Sequence, residues 1–417
     1  MDKMTRINLP VSEDIEDRLL GILKRKPSIH LQLDIINKCN LRCTICRFGD
    51  ENSVRDPVKY FKPEEFKAIF EDISPYISQV MLSCAAEPLI SKHFSEILSI
   101  ASNTPHPIDI NFCTNAMLMT DHIRHQIIEK GVTNIMISMD GATKSTYERV
   151  RVGSKYEQVV SNVMALRDLK ESTRSRYPRI TLVFVMMKQN IHEAPVFIEL
   201  AKRLGAESVS YHHLVPTNHI KELGEQLHTS KAMFNYYRDQ IIQSGRIHKI
   251  PVNLPPPFDI NERWKPDKRT SSVDLGDFED VKPSPQSGSP PIPKSFPHDF
   301  NQSDAIFQEF KDTFCQFPFQ TIMLSDLNIV LPCSFYRKPL GQLSDGETLS
   351  KIFFGNGFKQ ARRNMYLPED DPNCVGCPFK SELLPSRSVE NRTHNNGISI
   401  YKFMHKVYKT GWRILGL

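Results

Sequence analysis

Between Cys39 and Cys46 the chain places three cysteines in the spacing Cys-x3-Cys-x2-Cys, directly after an apolar run. Three thiols cannot complete a set of paired disulfides, and a structural zinc site wants four ligands. The arrangement suits a metal centre with one position left open, and a cubane iron-sulfur cluster held by three thiolates meets that condition. Three unrelated buried cysteines are the plain alternative, but such tight spacing after a strand argues against it. The compartment bears on this. No apolar run approaches the roughly 20 residues of a membrane span, and residues 1–25 read as charged and amphipathic instead of as a signal peptide. A cytoplasmic location is expected, where nine cysteines point to metal ligation or redox work and not to structural disulfides. The net charge of +5 is thinly spread, so no nucleic-acid partner is expected.

A chain of 417 residues with 40% hydrophobic content can bury a substantial core in two or three units. A helix is predicted over 12–23, then a strand over 31–36 with the cysteine motif on the loop at its end. Further strands are predicted over 79–83, 108–113, 134–139, 180–187 and 207–214. Helices over 63–73, 94–101, 121–130, 156–169 and 191–204 separate them, the last ending at Gly205 as a C-cap would. Alternating strands and helices make an α/β fold with a parallel sheet, and the pattern alone fits either a barrel-like or a doubly wound sheet.

The loops after these strands carry small and polar residues. Ser83-Cys84-Ala85-Ala86-Glu87-Pro88 follows the second, Cys113-Thr114-Asn115-Ala116 the third, and Ser138-Met139-Asp140-Gly141 the fourth. Together with the cysteine triplet, these four stretches in this order resemble the radical S-adenosylmethionine (SAM) superfamily. The second stretch is similar to that family's Gly-Gly-Glu-Pro motif and the third to its Thr-Asn-Gly, with Ala in place of each Gly. A position that needed positive φ would be strained by that change. The resemblance implies a partial (β/α)6 barrel, with Cys39, Cys43 and Cys46 holding a catalytic [4Fe-4S] cluster whose fourth iron takes the amino and carboxylate groups of SAM. It also implies SAM contacts from Ala86, Glu87, Asn115, Ser138 and Asp140. For Asn115, Ser138 and Asp140 the turn and helix-cap duties favoured by these residue types are the plain reading. Glu87 has little structural reason to stand beside a strand end. Cys84 and Cys113 also fall at strand ends, by default as packing thiols and otherwise as hydrogen-atom donors to a substrate radical.

The texture changes after residue 250. Residues 251–308 are rich in proline and serine and read as a linker or wrapping loop. Cys315, Cys333, Cys374 and Cys377 follow. Four thiolates suit zinc, but the sequence around Cys315 and Cys333 resembles the SPASM/twitch extension of radical SAM enzymes, which implies a small domain over 309–382 with a second, auxiliary [4Fe-4S] cluster. Residues 1–30 then form an N-terminal helical cap, 31–250 the barrel, and 383–417 a tail. In that tail, 398–417 form an amphipathic helix that either packs on the body or touches a membrane surface or a partner protein.

The activity implied by the resemblance is reductive cleavage of SAM to a 5′-deoxyadenosyl radical, which takes hydrogen from a substrate. An oxidoreductase-type reaction is expected, using an external one-electron reductant, a flavodoxin or ferredoxin. The expected substrate is a sugar, cyclitol or other small metabolite, with peptide modification as the alternative. A reading of another class is a non-catalytic zinc- or cluster-stabilised binding protein with a degenerate barrel, favoured by the Ala85-Ala86 pair.

Overall fold

The computed structural model describes residues 14–50, 56–215, 220, 223–264, 315–343, 346–365 and 371–374. Cys377, most of the proline- and serine-rich stretch and the amphipathic helix expected at 398–417 lie outside the described residues.

The chain enters through α1 (Asp14–Arg25) and β1 (Ile29–Leu33), then alternates through α2 (Pro63–Ile73), β2 (Ile77–Met81), α3 (Phe94–Ser102), β3 (Asp109–Thr114), α4 (Asp121–Glu129) and β4 (Asn134–Ser138). It continues with α5 (Lys144–Val150), α6 (Tyr156–Ser172), β5 (Arg179–Met186), α7 (Ala194–Arg203), β6 (Ser208–His213), α8 (Lys231–His248) and β7 (Val252–Asn253). Within one sheet these strands lie side by side in sequence order, every neighbouring pair parallel. That order decides between the two architectures left open above. A doubly wound sheet reverses its strand order at a switch point, whereas a sheet that adds each strand to the same side is wound like a barrel. Among the described residues this sheet is open, ending at β7 without closing on itself, and is a partial barrel.

Strand alternation separates two apolar layers. Val80, Phe112, Ile135, Ile137, Leu182 and Phe184 belong to the large core shared with the helices. Their neighbours Met81, Met136 and Val183 form a separate cluster with Cys113 against it. The thiol of Cys113 therefore faces the concave side of the sheet.

After α9 (Phe317–Gln320), β8 (Thr321–Ser325) returns and pairs parallel with β1, and β9 (Ile329–Leu331) and β10 (Gly341–Gln342) extend the sheet antiparallel beyond it. β8 and β9 form an antiparallel hairpin that ends two residues before Cys333 and continues the same sheet. At the other end, β7 carries the sheet past residue 250, and the chain up to Trp264 packs on α8: Asn235 exchanges two hydrogen bonds with Phe258, and Trp264 meets Tyr236 and Tyr237.

α10 (Leu349–Phe353) and α11 (Asn356–Asn364) close the described C-terminal part. From α11, the wholly buried Arg362 ties distant pieces together. Its guanidinium pairs with Glu16 of α1 at 2.5 Å, donates to the carbonyls of Pro318 and Phe353, and lies over the Phe353 ring. Removing one partner of a buried ion pair costs about 3–5 kcal/mol. Arg362→Leu should therefore lower stability by that amount in urea unfolding, while Glu16→Gln, which keeps an acceptor at the same place, should cost less than half as much.

Candidate functional site

The site is assembled at the carboxyl ends of β1 to β6, where the loops meet. Asp34, the residue after β1, holds the first two loops in register: its Oδ1 accepts hydrogen bonds from the backbone N–H groups of Cys84, Ala85 and Ala86 at 2.8, 2.9 and 2.9 Å. Neither Ala85 nor Ala86 takes a positive φ, so the Ala-Ala pair brings none of the strain foreseen for it. Ala116 does take one, with φ at 58°.

The cysteine loop is pinned on its far side by Arg42 N–H to Val152 O and Thr44 N–H to Val150 O, each 2.9 Å. Gly49 lets it close, since a Cβ there would lie 2.4 Å from the Cys43 carbonyl oxygen. Cys39, Cys43 and Cys46 border one cavity of about 890 Å³, open solvent at its mouth included. Burial pushes the Cys39 thiol up to about 12 and that of Cys43 to about 11, and raises Cys46 as well. Such thiols stay protonated until a metal displaces the proton. Among the described residues no three His, Cys, Asp or Glu side chains gather around a single-ion position. The three sulfurs border a shared space instead.

The structure gives Glu87 a structural duty that the sequence concealed. Its carboxylate accepts from Thr114 Oγ1 at 2.7 Å, Asn115 N–H at 2.7 Å and Leu89 N–H at 3.2 Å, locking the loop after β2 to that after β3. Burial raises its carboxyl to about 7, against the pull of these donors. Oε1 takes two of the bonds and Oε2 one, which leaves room on Oε2 for a further donor. Asn115 reaches the cysteine loop, donating from Nδ2 to Asn40 Oδ1 at 2.8 Å, with Cys39 Sγ at 3.9 Å. Ala86, Glu87, Asn115 and Ser138 all border the cavity.

Asp140 is placed differently. It is fully buried behind the wall, accepting from Val185 N–H at 2.8 Å and pairing with Arg151 Nη2 at 2.8 Å. The group presented to the cavity is Arg151, whose Nη1 donates to Cys43 Sγ at 3.9 Å. Burial works against its charge, but the Asp140 carboxylate holds it protonated. Asp140 thus orients a cation and does not itself reach the cavity. Cys113 lines it, hydrogen-bonded to Ser138 Oγ at 3.2 Å, and Cys84 lies on the same wall.

His213, the last residue of β6, borders the cavity together with Leu214 and Ile220, its ring packed on Phe234 and Phe258. Asp34, Arg151 and His213 escaped the sequence reading. The one available signal was an Asp interrupting an otherwise apolar run after β1.

In the C-terminal part, Cys315, Cys333 and Cys374 pack against a small cluster of Phe317, Tyr336 and Ala361. Sequence positions more than fifty residues apart thus meet in one place.

Residues 33–201 match the model of the Radical SAM superfamily. Among curated proteins, the chain is 26% identical over 188 residues to the AdoMet-dependent heme synthase of Methanosarcina barkeri, covering 45% of this chain and 51% of that protein. It is 23% identical over 217 residues to the mycofactocin maturase MftC of Mycolicibacterium smegmatis, covering 52% of each. The chain thus spans about half the length of these two relatives. Among solved structures, Streptococcus suis SuiB bound to S-adenosylmethionine aligns with a TM-score of 0.59 at 11% identity, covering 87% of this chain and 75% of that one. SuiB bound to the precursor peptide SuiA aligns at 0.57. At such identity the likeness is one of fold.

Two outcomes follow from the geometry. Asp34→Ala strips three N–H groups of a charged acceptor and should cost about 2–4 kcal/mol, read as a lower urea midpoint. The second concerns pH. Burial lowers both His212 and His213 to about 4, while an unfolded histidine titrates near 6.5. The unfolded chain binds more protons between these values, so stability present above about pH 6.5 is lost as pH falls toward 4, by up to about 3 kcal/mol for each ring. Replacing them together, His212→Asn with His213→Phe, should flatten the difference between unfolding midpoints measured at pH 7.5 and 5.0.

Proposed function

From the match of residues 33–201 to the Radical SAM superfamily model we propose that the chain is a radical SAM enzyme of oxidoreductase type, in which Cys39, Cys43 and Cys46 hold a [4Fe-4S] cluster beside bound S-adenosylmethionine. The observation that carries this reading is the meeting of three thiols, the Glu87–Asn115 lock and the Arg151 cation around one cavity at the strand ends. The donor set fits the group: the three cysteines, soft sulfur donors, line one cavity together with Arg151. When bound, the cluster supplies the electron that cleaves SAM to a 5′-deoxyadenosyl radical able to take hydrogen from a substrate.

The chain's own residues do the rest. Arg151, held by Asp140, is a fixed cation for the SAM carboxylate. Oε2 of Glu87 has acceptor capacity for the ammonium group. An ammonium needs acceptors, and the backbone groups that this loop can offer it are carbonyls. Ser138 and Asn115 supply neutral polar contacts. The apolar wall of Leu214 and Ile220 keeps water from the space where hydrogen transfer takes place.

For the substrate we assign a sugar, cyclitol or other small metabolite. Modification of a peptide is supported equally, by the likeness to a maturase and to the fold of SuiB in its SuiA-bound form. In a SPASM/twitch-like unit, Cys315, Cys333, Cys374 and Cys377 hold an auxiliary [4Fe-4S] cluster, and the packing of the first three around one apolar cluster supports this. Closed by four thiolates, that cluster serves electron relay and not substrate binding.

Anaerobic reconstitution tests the reading. About eight irons per chain are expected for two cubanes, with 5′-deoxyadenosine formed from SAM on reduction. Cys39→Ala, Cys43→Ala and Cys46→Ala together should halve the iron and abolish that product. Cys374→Ala with Cys377→Ala should halve the iron and leave part of the product. Zinc in place of iron, or product from the triple variant, overturns the assignment.

A further inference from the structure

Strand register places a second group of side chains on the concave face, next to the residues that border the cavity. Side chains alternate along a strand, and paired residues of parallel neighbours point to the same side. Ser138 and Val185 border the cavity. Ser138 pairs with Val183 and Val183 with Ser210, Val185 pairs with His212, and Ser210 pairs with Asn253. Met136 of the concave apolar cluster pairs with Thr181, and Thr181 with Ser208. Thr181, Ser208, Ser210, His212 and Asn253 therefore share the concave face across β5, β6 and β7. They bond to one another: Thr181 Oγ1 lies 2.8 Å from Ser208 Oγ, His212 Nε2 lies 3.0 Å from Ser210 Oγ, and Asn253 Nδ2 donates to Ser210 Oγ at 3.2 Å. Among the described residues, His212 Nδ1 and Asn253 Oδ1 have no hydrogen-bond partner, and both residues are only half-buried. The array continues as amides toward β2 and β3, where Gln79 is buried with its Oε1 unpartnered. The groups on this face able to carry full charge, His30, Asp109 and Arg179, stand at the amino ends of β1, β3 and β5, and Arg179 is bonded there to Asn134 Oδ1 at 3.0 Å.

A barrel face that served only as core would be filled with Val, Ile and Leu. Here three neighbouring strands present hydroxyls, an imidazole that burial keeps neutral, and an amide. An apolar molecule lying on them would leave these groups unpaired. A carboxylate or phosphate would find no cation among the five. An extended peptide is held chiefly by main-chain bonds along a strand edge, which a sheet face does not offer. A hydroxyl both donates and accepts, and so suits every member of the array. From β5 to β7 the array is roughly 10 Å wide, room for one sugar or cyclitol ring with its hydroxyls. We propose that this array is the substrate subsite and takes a neutral, hydroxyl-bearing ring, a monosaccharide or cyclitol, with Ser210, His212 and Asn253 determining specificity. This deepens the reading under Proposed function, on which it rests, by choosing the polyol over the peptide. Because Val185 is both the register partner of His212 and part of the cavity lining, a ring seated on the array meets the cavity along its upper edge.

Saturation-transfer NMR on the full chain, reconstituted with iron and sulfide and saturated with SAM, reads binding without turnover. The probes are myo-inositol, D-glucose, cyclohexanol and an N-acetylated, amidated tetra-alanine. Transfer to myo-inositol or D-glucose is expected, with none above background to cyclohexanol or the peptide. Ser210→Ala and Asn253→Ala should each weaken polyol binding by about two- to tenfold, the worth of one hydrogen bond, at the wild-type iron content. The ranking of the four probes on the wild-type chain decides the matter even where a variant folds poorly. No polyol signal, equal transfer to cyclohexanol, or polyol binding that both substitutions leave unchanged overturns the assignment. Peptide transfer that falls in the same two variants overturns it in favour of the peptide. A chain that takes up no iron yet binds the polyols through Ser210 and Asn253 overturns the cluster reading instead, and leaves the array a binding site for polyols.

Discussion

One carboxylate oxygen holds the site in shape. Asp34 Oδ1 gathers three successive N–H groups of the loop after β2, and without that acceptor those groups would be buried or half-buried donors with no partner, each a cost of about 1–3 kcal/mol. Because Asp34 lies between β1 and the cysteine loop, the same bond couples the position of the thiols to that of Ala86 and Glu87. Glu87 repeats the device one strand further on, binding the loop after β3 through Thr114 and Asn115. The loops thus form a chain of carboxylate-to-backbone locks, and the cavity is the space they leave.

The charges around that space are arranged so that few remain uncompensated. Asp140 lies behind the wall and neutralises Arg151, whose guanidinium reaches Cys43. Burial disfavours thiolates at Cys39 and Cys43, so ligand charge there requires a compensating metal, and a neighbouring cation lowers the demand. His213, also in the cavity lining, stays neutral against aromatic rings. Polar and cationic groups thus share the lining with apolar ones such as Leu214 and Ile220.

The C-terminal part is continuous with the body. β8 pairs directly with β1, the strand that leads into the cysteine loop, and Arg362 joins α11 to α1. A strand paired with β1 ties the C-terminal part, with Cys315 and Cys333, to the strand that leads into the N-terminal triplet. This coupling comes from backbone pairing and one buried cation, neither of which depends on local sequence pattern.

Much of the architecture was legible beforehand. The hydrophobic alternation located β1 to β6 to within a few residues, and helices such as α2 and α6 followed from amphipathic period and caps, because these signals are local. The crowding of Cys39, Cys43 and Cys46 pointed to metal chemistry for the same reason: eight consecutive positions suffice to state it. The order of strands in the sheet was not legible, since barrel-like and doubly wound sheets share one pattern of elements and differ only in which edge each strand joins. Glu87 looked free of structural duty because its partners lie twenty-seven and twenty-eight residues away. Arg151 and His213 carried no motif, and only the convergence of loops at the strand ends brings them to the cavity. The sequence by itself determined the elements and the identity of the candidate ligands, because both are written in neighbouring residues. The tertiary structure alone decided which carboxylates are spent on holding loops and which cation faces the cavity, because hydrogen bonding and burial at those positions depend on residues far apart in the chain.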